Sequence, residues 1–82
     1  MTTMSTPRIL VVDDDKRIAA SVRRSLTYDG YQVEVVHDGA SAIDAVRLQP
    51  PDVMVLDLML PGMDGLEVCR RLRAAGDDIA VL

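Results

Sequence analysis

Two apolar runs that each end in acid constrain most strongly what this chain can become. Ile9-Leu10-Val11-Val12 runs into Asp13-Asp14-Asp15, and Val53-Met54-Val55-Leu56 runs into Asp57, followed by Leu58-Met59-Leu60-Pro61-Gly62-Met63-Asp64-Gly65. Short runs of β-branched and aliphatic residues without polar alternation read as strands buried on both faces, the habit of a parallel sheet covered by helices on each side. Between the runs lie two helical patterns and one alternating strand, the rhythm of an open α/β sheet. In such sheets ligands lie at the carboxyl ends of strands, where the strand order reverses. Asp13, Asp14 and Asp57 all fall at carboxyl ends, so neighbouring strands would build an acidic pocket from them.

The intervening segments carry their own stop and start signals. Asp14 or Asp15 can cap a first helix whose apolar positions Ile18, Val22 and Leu26 repeat every four residues, with Lys16, Arg17, Arg23 and Arg24 outward. Asp29-Gly30 ends it. Tyr31, Val33 and Val35 alternate with Gln32 and Glu34, which predicts an edge strand with one wetter face. Asp38-Gly39 opens a second helix carrying Ala42, Ile43, Val46 and Leu48, and Pro50-Pro51 stops it, because proline lacks an amide donor and restricts the residue before it. Pro61 to Gly65 is a turn cluster, and a third helix is expected from Leu66 to Ala75, with Glu67 and Arg71 spaced to pair across one turn. Ile79-Ala80-Val81-Leu82 begins another buried strand.

Composition excludes several function classes. Eighty-two residues make at most one domain, and a chain of this size buries only about 60 to 65% of its unfolded surface. No stretch approaches the roughly twenty apolar residues of a membrane span. Residues 1–7, Met-Thr-Thr-Met-Ser-Thr-Pro, lack the basic and apolar regions of a signal or transit peptide and are expected to be a disordered tail, which points to the cytoplasm. With a net charge of −4, the chain lacks the basic stripe that would let it hold nucleic acid by itself. Cys69, the single cysteine, cannot form an internal disulfide and reads as a small core residue beside Leu66, Val68 and Leu72. His37 reads as a lone surface residue in a strand-to-helix loop, and Lys16 as a solvated side chain.

At Val11-Val12-Asp13-Asp14-Asp15 and Leu56-Asp57-Leu58-Met59-Leu60-Pro61-Gly62-Met63-Asp64-Gly65 the sequence strongly resembles the receiver domain of two-component response regulators, in particular members fused to a winged-helix DNA-binding domain. The resemblance spans residues 8–82, about two thirds of a family receiver. It implies an α/β, open parallel sheet of flavodoxin-like receiver type with strand order 2-1-3-4-5, here incomplete: three helices and four strands, without the fourth helix, the fifth strand and the fifth helix. Carried over residue by residue, it implies Asp57 as phosphoacceptor, Asp13 and Asp14 as the acid pair for Mg2+, the Met59 backbone carbonyl as a further ligand, and Pro61 and Gly65 as loop-shaping positions. It also implies a sensor histidine kinase as partner, no enzyme turnover beyond assisting its own phosphorylation, and a DNA-binding transcriptional regulator as the parent protein.

The chemistry is consistent from first principles. Crowded carboxylates repel, a divalent cation relieves that repulsion, and Mg2+ favours a few carboxylate oxygens together with waters and a phosphate oxygen. One departure and three rivals stand beside this reading. The Thr or Ser and the Lys that family members place at the ends of the fourth and fifth strands have no counterpart, so acceptor chemistry is expected to outlast the switch. A haloacid-dehalogenase type of enzyme would need an Asp two residues beyond the nucleophile, where Met59 stands, and a Rossmann half would need a Gly-rich turn where three acids stand. The remaining alternative is a non-signalling receiver fragment that self-associates, as a homodimer or by domain swap, through the apolar edge at Ile79 to Leu82.

Overall fold

The computed structural model describes residues 6–82, so most of the tail expected at 1–7 lies outside the described residues. The elements run β1 (Arg8–Val12), α1 (Lys16–Tyr28), β2 (Gln32–Val36), α2 (Gly39–Leu48), β3 (Val53–Leu56), α3 (Gly65–Ala74) and β4 (Ala80–Val81). All strand pairs are parallel and the sheet order is β2-β1-β3-β4, which puts β2 on the edge as its alternation predicts. The architecture is the open α/β sheet expected of a receiver, as far as its fourth strand.

β1 is a continuous apolar run because both of its faces are covered. Leu10 and Val12 enter the larger core under α2 and α3, while Ile9 and Val11 pack with Ala19 under α1. β3 is covered differently. Met54 and Leu56 are buried against α2 and α3, but Val53 and Val55 on the α1 side are only half-buried, so the expectation of a strand buried on both faces holds for one face. α1 packs over β1 and β2 and does not extend across β3.

Each helix begins at an aspartate. Asp15 accepts the Arg17 and Ile18 amides at 3.0 and 3.1 Å, Asp38 accepts the Ser41 amide at 2.7 Å, and Asp64 accepts the Glu67 amide at 2.9 Å. These bonds satisfy orphan donors and set negative charge at the positive end of each helix dipole. At the other end of α1, Gly30 takes φ +99°, which lets the Tyr31 amide reach back to the Leu26 carbonyl at 3.1 Å; Gly76 closes α3 in the same way.

Four apolar residues expected in the core are exposed, and helical phase explains three of them. At about 100° per residue, the buried stripe of α1 runs through Ala19, Val22 and Leu26, leaving Ile18 to one side and 52% exposed. Leu48, 87% exposed, lies on the face of α2 opposite Ala42, Ile43 and Val46, and Leu66 lies off the Val68–Leu72 stripe of α3. Leu82 is exposed although its backbone continues the pairing with β3, its amide donating to the Met54 carbonyl at 2.9 Å and its carbonyl accepting from the Leu56 amide at 3.0 Å; Ile79 supplies the burial. α3 starts one residue earlier than expected. Cys69 packs against the larger core, and Glu67 pairs with Arg71 at 3.0 Å and also with Arg70. No helix among the described residues is long and apolar enough to cross a membrane.

The Asp38 cap has a pH signature. The Ser41 amide, then the Ser41 hydroxyl, and also the nearby His37 charge, hold its carboxyl below the ordinary value of 3.8. A depressed folded value means that the cap's stabilisation is complete above the unfolded value and fades as pH falls through the folded one. A carboxyl titration by NMR is expected to give Asp38 a midpoint below 3.8. Asp38→Ala is expected to lower the unfolding midpoint at neutral pH, with the gap to wild type closing in acid; a gap that stays constant would contradict the assignment.

Candidate functional site

Parallel register brings the two acid-ended strands together. Val12 on β1 is paired with Leu56 on β3, and the ladder continues one rung further through the Asp57 amide to the Val12 carbonyl at 3.0 Å. On the other side of β1, the Asp13 amide donates to the Val36 carbonyl at 3.1 Å. Asp13 and Asp57 therefore emerge side by side at the carboxyl end of the sheet. Asp15 is occupied in capping α1, which leaves Asp14 to the cluster.

Carboxylate oxygens of Asp13, Asp14 and Asp57 lie within 4.8 Å of one another, with Asp13 and Asp57 half-buried and Asp14 exposed. At such separations two ionised carboxylates repel by about 1 kcal/mol in bulk water and by about 4 kcal/mol at the effective dielectric of a protein surface. An all-oxygen acidic donor set at this spacing suits a hard divalent cation that retains some of its waters, as Mg2+ does. Two of the acids are oriented by their own loops. Asp57 Oδ1 accepts the Met59 amide at 2.9 Å, and Asp13 Oδ1 accepts the Asp15 amide at 2.9 Å.

The loop after β3 is pinned at both ends. Leu60 is buried in the core under α2 and α3, and the Gly65 amide donates to the Leu58 carbonyl at 3.3 Å. Pro61 is exposed on the turn, and the side chains of Leu58 and Met59 stand exposed near the mouth of the site. What orients Asp57 here is the amide of Met59.

One residue of the site escaped the sequence reading. His37, expected at the surface, is half-buried, and its Nδ1 lies 2.9 Å from the Asp13 backbone carbonyl. The available signal was its place just past the carboxyl end of β2, next to β1 in the sheet. His37 also borders a cleft of about 950 Å³ between α1 and β2, lined by Lys16, Arg23, Tyr28, Val33 and Glu34 among others. Glu34 is the single acid lining that open groove, so the candidate site is the carboxylate cluster.

The chain matches the response regulator receiver domain family over residues 9–82. It is 56% identical over 75 residues to response regulator MprA of Mycobacterium avium, a match that covers 92% of this chain and 33% of that protein. The chain thus spans about a third of the length of the curated relatives it matches. Among solved structures, the N-terminal domain of a response regulator receiver protein from Methanoculleus marisnigri superposes with a TM-score of 0.89 at 35% identity, over 94% of this chain and 64% of that one. The response regulator TrrA of Thermotoga maritima, solved in complex with Mg2+ and BeF, superposes with a TM-score of 0.87 at 32% identity, over 93% of this chain and 66% of that one.

Gly65 is where α3 comes closest to the acid. A Cβ there would lie 2.8 Å from both the Asp57 carbonyl oxygen and the Leu58 Cα, so backbone must move to admit it. Gly65→Ala is expected to destabilise the fold by about 1–3 kcal/mol and to shift the Asp57 and Met59 amide resonances. Denaturant unfolding and amide spectra check this, and wild-type stability with unmoved resonances would refute it.

Proposed function

Because the chain belongs to the response regulator receiver domain family, we propose that it is a phosphoacceptor, taking a phosphoryl group onto Asp57 from the phosphohistidine of a sensor histidine kinase. The observation behind this is the convergence of Asp13, Asp14 and Asp57 carboxylates within 4.8 Å at the ends of β1 and β3. The Met59 amide holds Oδ1 of Asp57, and the other oxygen attacks phosphorus. A P–O bond forms, the P–N bond to the kinase imidazole breaks, and the imidazole leaves. The domain assists its own modification and is not an enzyme with turnover.

Asp13, Asp14, Asp57 and the Met59 backbone carbonyl are the proposed holders of Mg2+. When bound, the ion neutralises charge on the carboxylates and the phosphoryl oxygens as bonds are exchanged. The residues themselves contribute placement: the strand ends fix the spacing of the acids, Pro61 and Gly65 shape the loop, and the amide contacts choose which oxygens face outward. The parent protein is proposed to be a cytoplasmic transcriptional regulator whose DNA-binding part lies outside this chain, with phosphorylation biasing its assembly.

Intact mass after incubation with Mg2+ and a small-molecule phosphoryl donor tests the reading. Gain of one phosphoryl group is expected, lost in Asp57→Asn and without Mg2+, and reduced by Asp13→Asn. No adduct on a sample shown to be folded would overturn it.

A further inference from the structure

The backbone of Asp13 is held by two consecutive residues of the neighbouring strand end. Its amide donates to the Val36 carbonyl at 3.1 Å, and its carbonyl lies 2.9 Å from His37 Nδ1. A carbonyl oxygen can only accept, so Nδ1 carries the proton in this contact. The first bond is one more rung of the sheet ladder; the second is the only one of the pair that depends on a side chain. Past Asp13 the chain turns through Asp14 and Asp15 into α1, and the Asp15 amide folds back onto Asp13 Oδ1 at 2.9 Å. The direction of the Asp13 carbonyl therefore sets the turn on which Asp13 and Asp14 are both mounted.

We propose that His37 is a positioning residue of the cation site, its Nδ1–H bond to the Asp13 carbonyl fixing the β1–α1 turn so that the Asp13 and Asp14 carboxylates converge with Asp57. The proposal rests on the phosphoacceptor reading only for the identity of the cation. Side chains that orient metal ligands without touching the metal typically contribute about 10- to 100-fold to metal affinity. His37 acts here through the backbone, and its contact is half-buried, so the lower end of that range is expected.

The test is Mg2+ titration of the full chain by calorimetry, with amide spectra, on wild type, His37→Ala, His37→Asn and Asp13→Asn. His37→Ala is expected to bind Mg2+ about tenfold more weakly, with the Asp14 and Asp15 amides shifted and the β3 amides unmoved. His37→Asn places an N–H near the Nδ1 position and is expected to restore most of the affinity, a rescue that a packing role would not produce. Binding that depends on Asp13 but is unchanged in His37→Ala overturns this proposal alone. No Asp13-dependent binding in wild type overturns the cation reading as well. Should His37→Ala fail to fold, imidazole 15N shifts of wild type at mildly alkaline pH decide: protonated Nδ1 is expected, and a proton on Nε2 overturns the proposal.

Discussion

The acidic end of this protein depends on β1 lying between β2 and β3 in parallel register. Val12 is paired with Val36 on one side and with Leu56 on the other. The next residue of each strand end is then Asp13, His37 and Asp57, a row drawn from three distant parts of the chain. Side chains alternate faces along a strand, so a slip of one residue between β1 and β3 would draw Asp57 away from Asp13 and turn the apolar set of the slipped strand toward the wrong helices, while a slip between β1 and β2 would displace His37. The burial of Leu10, Val12, Met54 and Leu56 against α2 and α3 is what makes that slip costly. The hydrophobic core and the site are specified by one and the same alignment.

Much of this was legible in the residues, because strand and cap signals are local. The two apolar runs ending in acid, the aspartates that open the first two helices and the wet alternation of β2 all predict what is seen, whereas Asp64, read only as part of a turn, proves to cap α3. The register between strands is not local, so the meeting of Asp13, Asp14 and Asp57 within 4.8 Å followed from strand-end logic and family resemblance, and their distances required the structure. Where sequence reading failed, it failed on phase and on isolation. Ile18, Leu48 and Leu66 look like core residues until the helix is given its rotation, and each then falls off the buried stripe. His37 looked like a surface residue because nothing near it in sequence binds anything; its partner, Asp13, is a neighbour only across the sheet.

The two faces of the sheet do unequal work. Under α2 and α3 the core is deep, and Leu60 ties the loop after Asp57 into it, so the Asp57 side of the site is anchored on the well-packed face. Under α1 only Ile9, Val11 and Ala19 are buried, with Val53 and Val55 partly open. The turn carrying Asp13 and Asp14 leads into α1, on the other face. Hydrogen bonds from the end of β2 hold its backbone.

Those bonds matter because the site crowds like charges together. Ionised carboxylates at this spacing oppose one another by about 1–4 kcal/mol per pair, and a loosely held turn would relax by letting them separate. Hydrogen bonds to a charged group contribute about 1.5–3 kcal/mol each, and the structure places one on Asp13 from the Asp15 amide and one on Asp57 from the Met59 amide. These bonds offset the repulsion where it arises, while the backbone contacts of Asp13 to Val36 and His37 deny the turn an easy way out. The carboxylates are thus held in their converging arrangement by groups that belong to the fold. A site organised in this way spends less of a ligand's binding energy on ordering the protein.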